Sequence, residues 1–275
     1  MNFETERLDD HKLIVNKDYT ELLKFNGIET ARDLWDFEGE AVKKILKQRG
    51  TERVFLNTPN GSRIEAYIKR YSPEPKREIL KKVFSLKFHT FDAFHEWRAL
   101  RAFHRAGIPT MEPMAVASPF KGCSCNLTLG ITGYVKAAEL FKNFTPADRC
   151  RRLRLIDNIA QIAGSMHAHN YAHQDFYLVH MFVREQENDK VYLIDLQRLI
   201  IQRKLSWRWR VKDLAQLLFA SKPHVSRTDI LRFWKKYCSI AGKRFFSDKF
   251  IIHSVQGKAA RIAARDARKA AAKTK

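Results

Sequence analysis

Only 4 of the 275 residues are cysteine. Cys123, Cys125, Cys150 and Cys238 have neither the paired spacing of a zinc site nor the density of a disulfide framework. The Cys-x-Cys pair therefore reads as ordinary packing, which suits a reducing cytosol. No uninterrupted apolar run is long enough to span a bilayer. The N-terminus, MNFETERLDDHKL, is acidic and polar, which excludes a signal peptide or a transit sequence. These absences place the chain in the cytoplasm, free or resting on a membrane surface. Acidic residues are also scarce, 30 against 51 Lys and Arg, leaving a formal charge of +21. Such an excess favours an anionic partner, whether nucleic acid, an acidic membrane face or a phosphorylated glycolipid, without choosing among them. Nucleic acid is disfavoured, because RNP-type aromatics, zinc-finger spacing and a helix-turn-helix are all missing. What the chain does have is 45% hydrophobic and 12% aromatic residues, ample for the core of one large or bilobal domain.

From about Asp18 to Gln48 the spacing of Leu22, Leu23 and Phe25, then a Gly27 break, then Ala31, Leu34, Trp35, Val42 and Ile45, predicts helix. A hairpin follows: ERVFLNT, the turn Pro59-Asn60-Gly61, then SRIEAYIKRY. In its second strand Ile64, Ala66 and Ile68 share one face, so Glu65, Tyr67 and Lys69 share the other. A lysine at a strand end is by default a solvated edge residue. A basic stretch from Pro73 to Lys87 reads as loop and short helix. FDAFHEWRALRAFHRAG then carries Phe91, Phe94, Trp97, Leu100 and Phe103 along one side, stops at Gly107 and has Pro109 beyond. Glu96 lies next to that stripe. It is either a half-exposed helix carboxylate or a partner for Lys69, since a charge beside a buried stripe is best tolerated when paired.

PTMEPMAVAS and NLTLGITGYVK read as strands, and the second leads into a connection around Gly133 and Tyr134. From Pro146 to His169 the chain is helical, with Leu153, Leu155, Ile156, Ile159, Ile162, Ala163 and Met166 on a wide apolar face. The segment NYAHQDFYLVHMFV comes next. LVHMFV and VYLIDL form two strands around the turn Glu187-Asn188-Asp189, so Asp175 precedes one arm of a hairpin and Asp195 ends the other. Both carboxylates can reach one site, and like charges held close call for a cation between them. His167, His169, His173 and His180 cluster in sequence, but their spacing fits neither a helical zinc motif nor a structural zinc site. WRWRVKDLAQLLFA is a buried helix in which Asp213 needs hydrogen-bond donors. The tail GKAARIAARDARKAAAKTK is Ala-rich and basic, a frayed helix or a disordered arm.

Taken in order, these features are Lys69 on a strand, Glu96 on the next long helix, His-x-Asp, a strand ending Ile-Asp-Leu, and Lys-Asp-Leu-Ala on a buried helix. This order resembles the lipopolysaccharide kinase family, the Kdo and heptose kinases, over about Gly39 to Leu218. Its most specific parts are GEAVKKIL, HQDFYLVHMF, YLIDLQR and RWRVKDLAQL. The resemblance implies an α+β, bilobal protein-kinase-like fold with a small antiparallel β-rich N-lobe and a mainly helical C-lobe. The implied division is an N-terminal helical extension (1–50), N-lobe (51–137), C-lobe (138–255) and basic tail (256–275). It further implies that ATP and Mg²⁺ are used. Lys69 would hold the nucleotide's phosphates with Glu96 paired to it, and the Asn60 and Gly61 amides would cover them. Asp175 would orient the attacking hydroxyl, His173 would brace its loop, His180 would bond a phosphate or water, and Asp195 would hold the metal. The loop from Asn57 to Arg63 has one glycine where most protein kinases have a Gly-rich motif. Asp195-Leu196-Gln197 lacks the usual hinge glycine, and Gln174 replaces the usual Arg, which implies a constitutively formed site. The acceptor would be a sugar of the lipopolysaccharide core, met at the cytoplasmic face of the anionic inner membrane, where the +21 charge adds attraction.

Overall fold

The structure, a computed structural model, describes residues 3–46, 49–73, 92–242 and 247–273, the side chains of 42–46, 49 and 273 excepted. It divides into two compact units, Met1–Thr132 and Gly133–Lys275.

The first unit is built on a seven-stranded antiparallel sheet in the order β1-β2-β6-β7-β5-β4-β3. The strands are β1 (Thr5–Leu8), β2 (Leu13–Asn16), β3 (Glu40–Leu46), β4 (Arg49–Asn57), β5 (Arg63–Tyr71), β6 (Pro113–Ala117) and β7 (Ser124–Leu129). Strand β5 lies between β4 and β7, with Lys69 opposite Thr51 on one side and Asn126 on the other. Lys69 is thus on a central strand and not at an edge. Alternation along β5 sorts its side chains between the two faces. Ala66 and Ile68 join Val54, Leu56 and Leu127 in a core that α1 (Thr20–Phe25), α2 (Ala31–Asp36) and the connection between them close with Leu23, Ile28, Ala31 and Leu34. Tyr71 turns the other way, into a smaller cluster with Val116 and with Ala93 and Trp97 of α3 (Ala93–Arg105). Deleting one of these fully buried leucines to Ala would cost about 2–5 kcal/mol.

The two short helices are fastened by local chemistry. Gly27, at φ +72°, ends α1 in the left-handed conformation glycine tolerates best. Thr30 and Asp33 make a reciprocal capping box at the start of α2. The Arg70 guanidinium donates to the carbonyls of Trp35 (2.7 Å) and Phe37 (2.5 Å) and to Glu52 Oε2 (2.6 Å), tying the end of α2 to the sheet.

Helix expected as far as Gln48 stops at Asp36. Glu40–Leu46 is strand β3, paired with β4 from Glu40↔Arg53 onward. Val42 and Ile45 are β-branched, and a run of seven residues fits either period until a neighbouring strand offers its hydrogen bonds. The first 50 residues are therefore not a helical extension: β1 and β2 also belong to the sheet. Lys47 and Gln48, the stretch read as loop and helix beyond Pro73, and Phe91 lie outside the described residues.

The second unit is mainly helical, with α4 (Ala137–Asn143), α5 (Arg149–Ala168), α6 (Trp207–Ser221), α7 (Arg227–Ala241) and α8 (Asp248–Lys273). Two small antiparallel sheets accompany them. One orders β11 (Lys190–Leu193), β10 (Met181–Arg184) and β8 (Val135–Lys136); the other pairs β12 (Ile200–Ile201) with β9 (Tyr171–Ala172). Leu155, Ile156, Ile159, Ile162, Ala163 and Met166 of α5 are buried as their spacing predicts. Gly164 lets α7 approach closely, since a Cβ there would stand 2.7 Å from Ile240 Cβ. The β10–β11 hairpin has the expected register, Met181↔Leu193 to Arg184↔Lys190. Its turn is pinned by buried Asp189, which accepts from Arg151 Nε (3.0 Å) and Arg154 Nη2 (2.6 Å) of α5. The basic tail continues α8. Ile251, Val255, Ala259 and Ile262 form its buried stripe, and residues 263–272 are exposed.

Candidate active site

In the first unit Glu96 is fully buried, one turn into α3, whose N-cap Asp92 accepts from the His95 amide. Burial of a carboxylate is tolerated only when donors surround it. Three do: Lys69 Nζ at 2.6 Å on Oε1, with Tyr71 Oη and Asn126 Nδ2 each at 3.1 Å on Oε2. The three donors come from adjacent strands, so the sheet's register builds the carboxylate's cage. Of the two amides expected over the phosphates, that of Gly61 donates to the Thr58 carbonyl (2.9 Å) inside the hairpin turn. Asn60 Oδ1 accepts from the Ser62 amide (3.1 Å) and hydroxyl (2.8 Å) in the same turn. These bonds make the loop a closed turn stabilised from within.

In the second unit the loop His173–Asp175 is held from below by α6. Asp213, fully buried, accepts from the amides of His173 on Oδ2 and Gln174 on Oδ1, both at 2.8 Å. His167 Nε2 lies 3.4 Å from Oδ2 and its Nδ1 2.9 Å from the Tyr237 hydroxyl. Only one neutral tautomer serves both: Nε2–H donates to the carboxylate, and Nδ1 accepts from the hydroxyl. Gln216, three residues on and on the same helix face, donates to the Gln174 carbonyl (2.6 Å) and accepts from the Phe176 amide (3.1 Å). Gln174 sits at φ +69°, strain that these bonds hold in place. Its side chain is equally engaged, accepting from Lys212 Nζ (3.2 Å) and donating to the Arg198 carbonyl (2.7 Å).

His173 and His180 tie the two acidic residues together. His173, fully buried, has Nε2 at 2.9 Å from the Ile194 carbonyl, while the Asp175 amide donates to its Nδ1 at 3.3 Å. Burial lowers its pKa, and that of His167, below the ordinary value, so both rings stay neutral at neutral pH. His180 Nδ1–H donates to the Asp175 carbonyl (2.7 Å), turning Nε2 towards Asp195 Oδ2 at 3.8 Å. The hairpin completes the frame, because the Ile194 amide donates to the His180 carbonyl (2.9 Å). Asp195 itself lies at φ +64°, a left-handed position just past β11. His180 thus stands between the Asp175 backbone and the Asp195 carboxylate. The four clustered histidines do not converge: His169 Nδ1 bonds the Ser165 carbonyl (2.8 Å) on the surface, and the others are engaged as described.

Sequence reasoning missed Arg198. A single amino nitrogen, Nη1, spans both oxygens of Asp175, at 2.8 and 3.1 Å. Its position three residues beyond Asp195, on the hairpin's exit, was the available signal.

The antiparallel sheet with its buried Lys–Glu pair, and the helical unit with an acidic loop facing the end of a hairpin, define a protein-kinase-like phosphotransferase. The solved structure of a WaaP in complex with acyl carrier protein shares this fold. It matches with a TM-score of 0.69 and 22% identity, covering 90% of this chain and 98% of that one. The chain belongs to the lipopolysaccharide kinase (Kdo/WaaP) family, whose model matches residues 32–237. It is 28% identical over 249 residues to the lipopolysaccharide core heptose(I) kinase WaaP of Escherichia coli K12, covering 84% of this chain and 94% of the relative. It is 29% identical over 173 residues to the protein of the same name from Pseudomonas aeruginosa, 58% of this chain and 64% of the relative. The family and fold implied by the motifs are therefore those found, and membership makes this chain a kinase.

Proposed function

We propose that this chain transfers the γ-phosphoryl group of ATP to a sugar hydroxyl, of heptose or Kdo, in the lipopolysaccharide inner core. The observation that carries the reading is the fixing of Asp175 by His173 and His180, of which His180 also faces Asp195 and His173 holds the neighbouring Ile194 carbonyl, on a loop anchored by Asp213. Phosphoryl transfer asks for little covalent chemistry from the protein; it asks for charge placed around the phosphoryl group with donor and acceptor in line. Lys69 is the cation for the nucleotide's phosphates, and Glu96 keeps its ammonium in place. Asp175 accepts the hydrogen bond of the acceptor hydroxyl and orients it. Because Gln174 is bonded throughout, the loop needs no activating phosphate to form.

Among the described residues no group of three or more His, Cys, Asp or Glu converges as a metal cage. Mg²⁺ does not need one, since it is commonly held by one or two carboxylates together with substrate phosphates. The oxygen donor of Asp195, a hard ligand beside His180, fits that mode and would hold the ion. Bound there, Mg²⁺ would neutralise charge on the phosphates.

Among the described residues no helix is long and apolar enough to cross a membrane. The +21 charge supports a peripheral position on the anionic inner face, where the acceptor is presented. By analogy with the relative solved with acyl carrier protein, this chain also binds such a carrier. In support, the second unit has an apolar cavity of ≈ 470 Å³, lined by Phe141, Ile159, Leu214, Leu217 and Trp234 among others, with the character of an alkyl-chain pocket. The direct test is ATP consumption by the purified protein with lipopolysaccharide core or with a polypeptide as acceptor. Turnover with core alone supports the proposal. Turnover with polypeptide alone makes the chain a protein kinase, and turnover with neither makes it a non-catalytic relative.

A further inference from the structure

Two cations stand beside Asp175 where one would satisfy it. Arg198 is 41% exposed, and its backbone is fixed by the bond from Gln174 to its carbonyl. One of its amino nitrogens is on Asp175, while its buried Nε makes no hydrogen bond among the described residues. Lys212 comes from α6 to the residue preceding Asp175, with Nζ 3.2 Å from Gln174 Oε1 and 5.5 Å from the Trp209 ring centroid. A half-buried ammonium next to a guanidinium is costly to keep, and its pKa is lowered by burial first and by Arg198 second. Lys258 of α8 adds a further repulsion. Among the described residues, the carboxylates that offset this charge are Asp175, engaged by Arg198, and Asp213, engaged by the loop amides. Positive charge therefore accumulates beside the group that receives the acceptor.

We propose that Arg198 and Lys212 form an anion subsite next to Asp175, which takes a carboxylate or phosphate carried by the acceptor. The subsite selects a sugar whose reacting hydroxyl stands close to a negative charge. A guanidinium with donors to spare and an ammonium with three are the groups suited to such oxyanions. Asp175 is where the acceptor hydroxyl goes, so the charges beside it read the acceptor and not the nucleotide. This inference rests on the kinase reading.

The test is equilibrium binding of deacylated core oligosaccharide, without ATP, to the full-length protein and to Lys212→Met and Lys212→Arg. The oligosaccharide is supplied native, with its carboxyl groups reduced to alcohols, and with its phosphates removed. Wild type should bind one of the stripped forms about 10- to 100-fold more weakly than the native form, and which one identifies the anion. Lys212→Met should bind the native form as weakly as wild type binds that stripped form, with no further loss on stripping. Lys212→Arg, which keeps the charge, should restore the discrimination and controls for a folding defect in the Met variant. The proposal is overturned if wild type binds all three forms alike, if it binds none, or if Lys212→Met discriminates as wild type does. It is equally overturned if Lys212→Met weakens ATP binding and leaves oligosaccharide binding unchanged. Native oligosaccharide that is bound and discriminated, yet not phosphorylated when ATP is added, would refute the kinase reading while leaving the subsite standing.

Discussion

Replacing Asp213 by Asn changes almost no volume and removes one acceptor. The carboxylate accepts two backbone amides at 2.8 Å and faces His167 Nε2 at 3.4 Å. An asparagine has one acceptor oxygen, so whichever way it turns, its NH₂ group meets either the His173 or the Gln174 amide, donor against donor. His167 can change tautomer to suit; a backbone amide cannot. One buried N–H is left unsatisfied, at about 1–3 kcal/mol, and a charge-assisted bond worth about 1.5–3 kcal/mol is lost. The expected destabilisation is about 3–5 kcal/mol, a large part of a total commonly near 5–15 kcal/mol. Because the amide lost lies within two residues of Asp175, turnover should fall more than binding of nucleotide. Urea unfolding read by tryptophan fluorescence gives the first quantity, and steady-state kinetics with saturating ATP the second. An Asn variant within about 0.5 kcal/mol of wild type, the margin for an ordinary surface change, would refute this account of the loop's support.

Two further outcomes are expected. Lys69→Met leaves the buried Glu96 carboxylate with two neutral donors, which should cost about 2–4 kcal/mol and abolish turnover. Adding Glu96→Gln should recover most of that stability but no activity; a double variant as unstable as the single in a denaturant melt would contradict the pairing. His167 and His173 have lowered pKa values in the fold, while in the unfolded chain they titrate near 6.5. Above that pH both states are neutral and stability is unaffected. As pH falls below it, the unfolded chain takes up protons that the folded protein refuses, so stability should fall by up to about 1.4 kcal/mol per pH unit for each ring. Unfolding midpoints that stay level between about pH 7.5 and pH 5 would contradict the neutral assignments.

The second unit was more legible in the sequence than the first. A 20-residue helix with a continuous apolar face and a hairpin with a polar turn carry their period over enough residues to be unambiguous. EAVKKIL was not, because seven residues with two β-branched side chains satisfy either period, and the deciding hydrogen bonds come from β4. Strands β1 and β2, four residues each, are too short for alternation to register. Within the site, Asp213 was recognisable as a buried charge requiring donors, and the donors are the loop amides. Glu96 could be read two ways until strand register placed Lys69, Tyr71 and Asn126 around it. Arg198 was invisible for a related reason: its partner Asp175 lies 23 residues away, and only the folded exit of the hairpin brings them together.

On the proposed function, Asp175 directs a phosphoryl group from ATP to a core sugar. The most direct measurement of this role is mass-spectrometric analysis of lipopolysaccharide core incubated with ATP, Mg²⁺ and either wild type or Asp175→Ala. One added phosphate per core is expected with wild type, and at least about a hundredfold slower addition with the Ala variant. Phosphate added at equal rates by the two proteins, or found on no sugar with wild type, would contradict it.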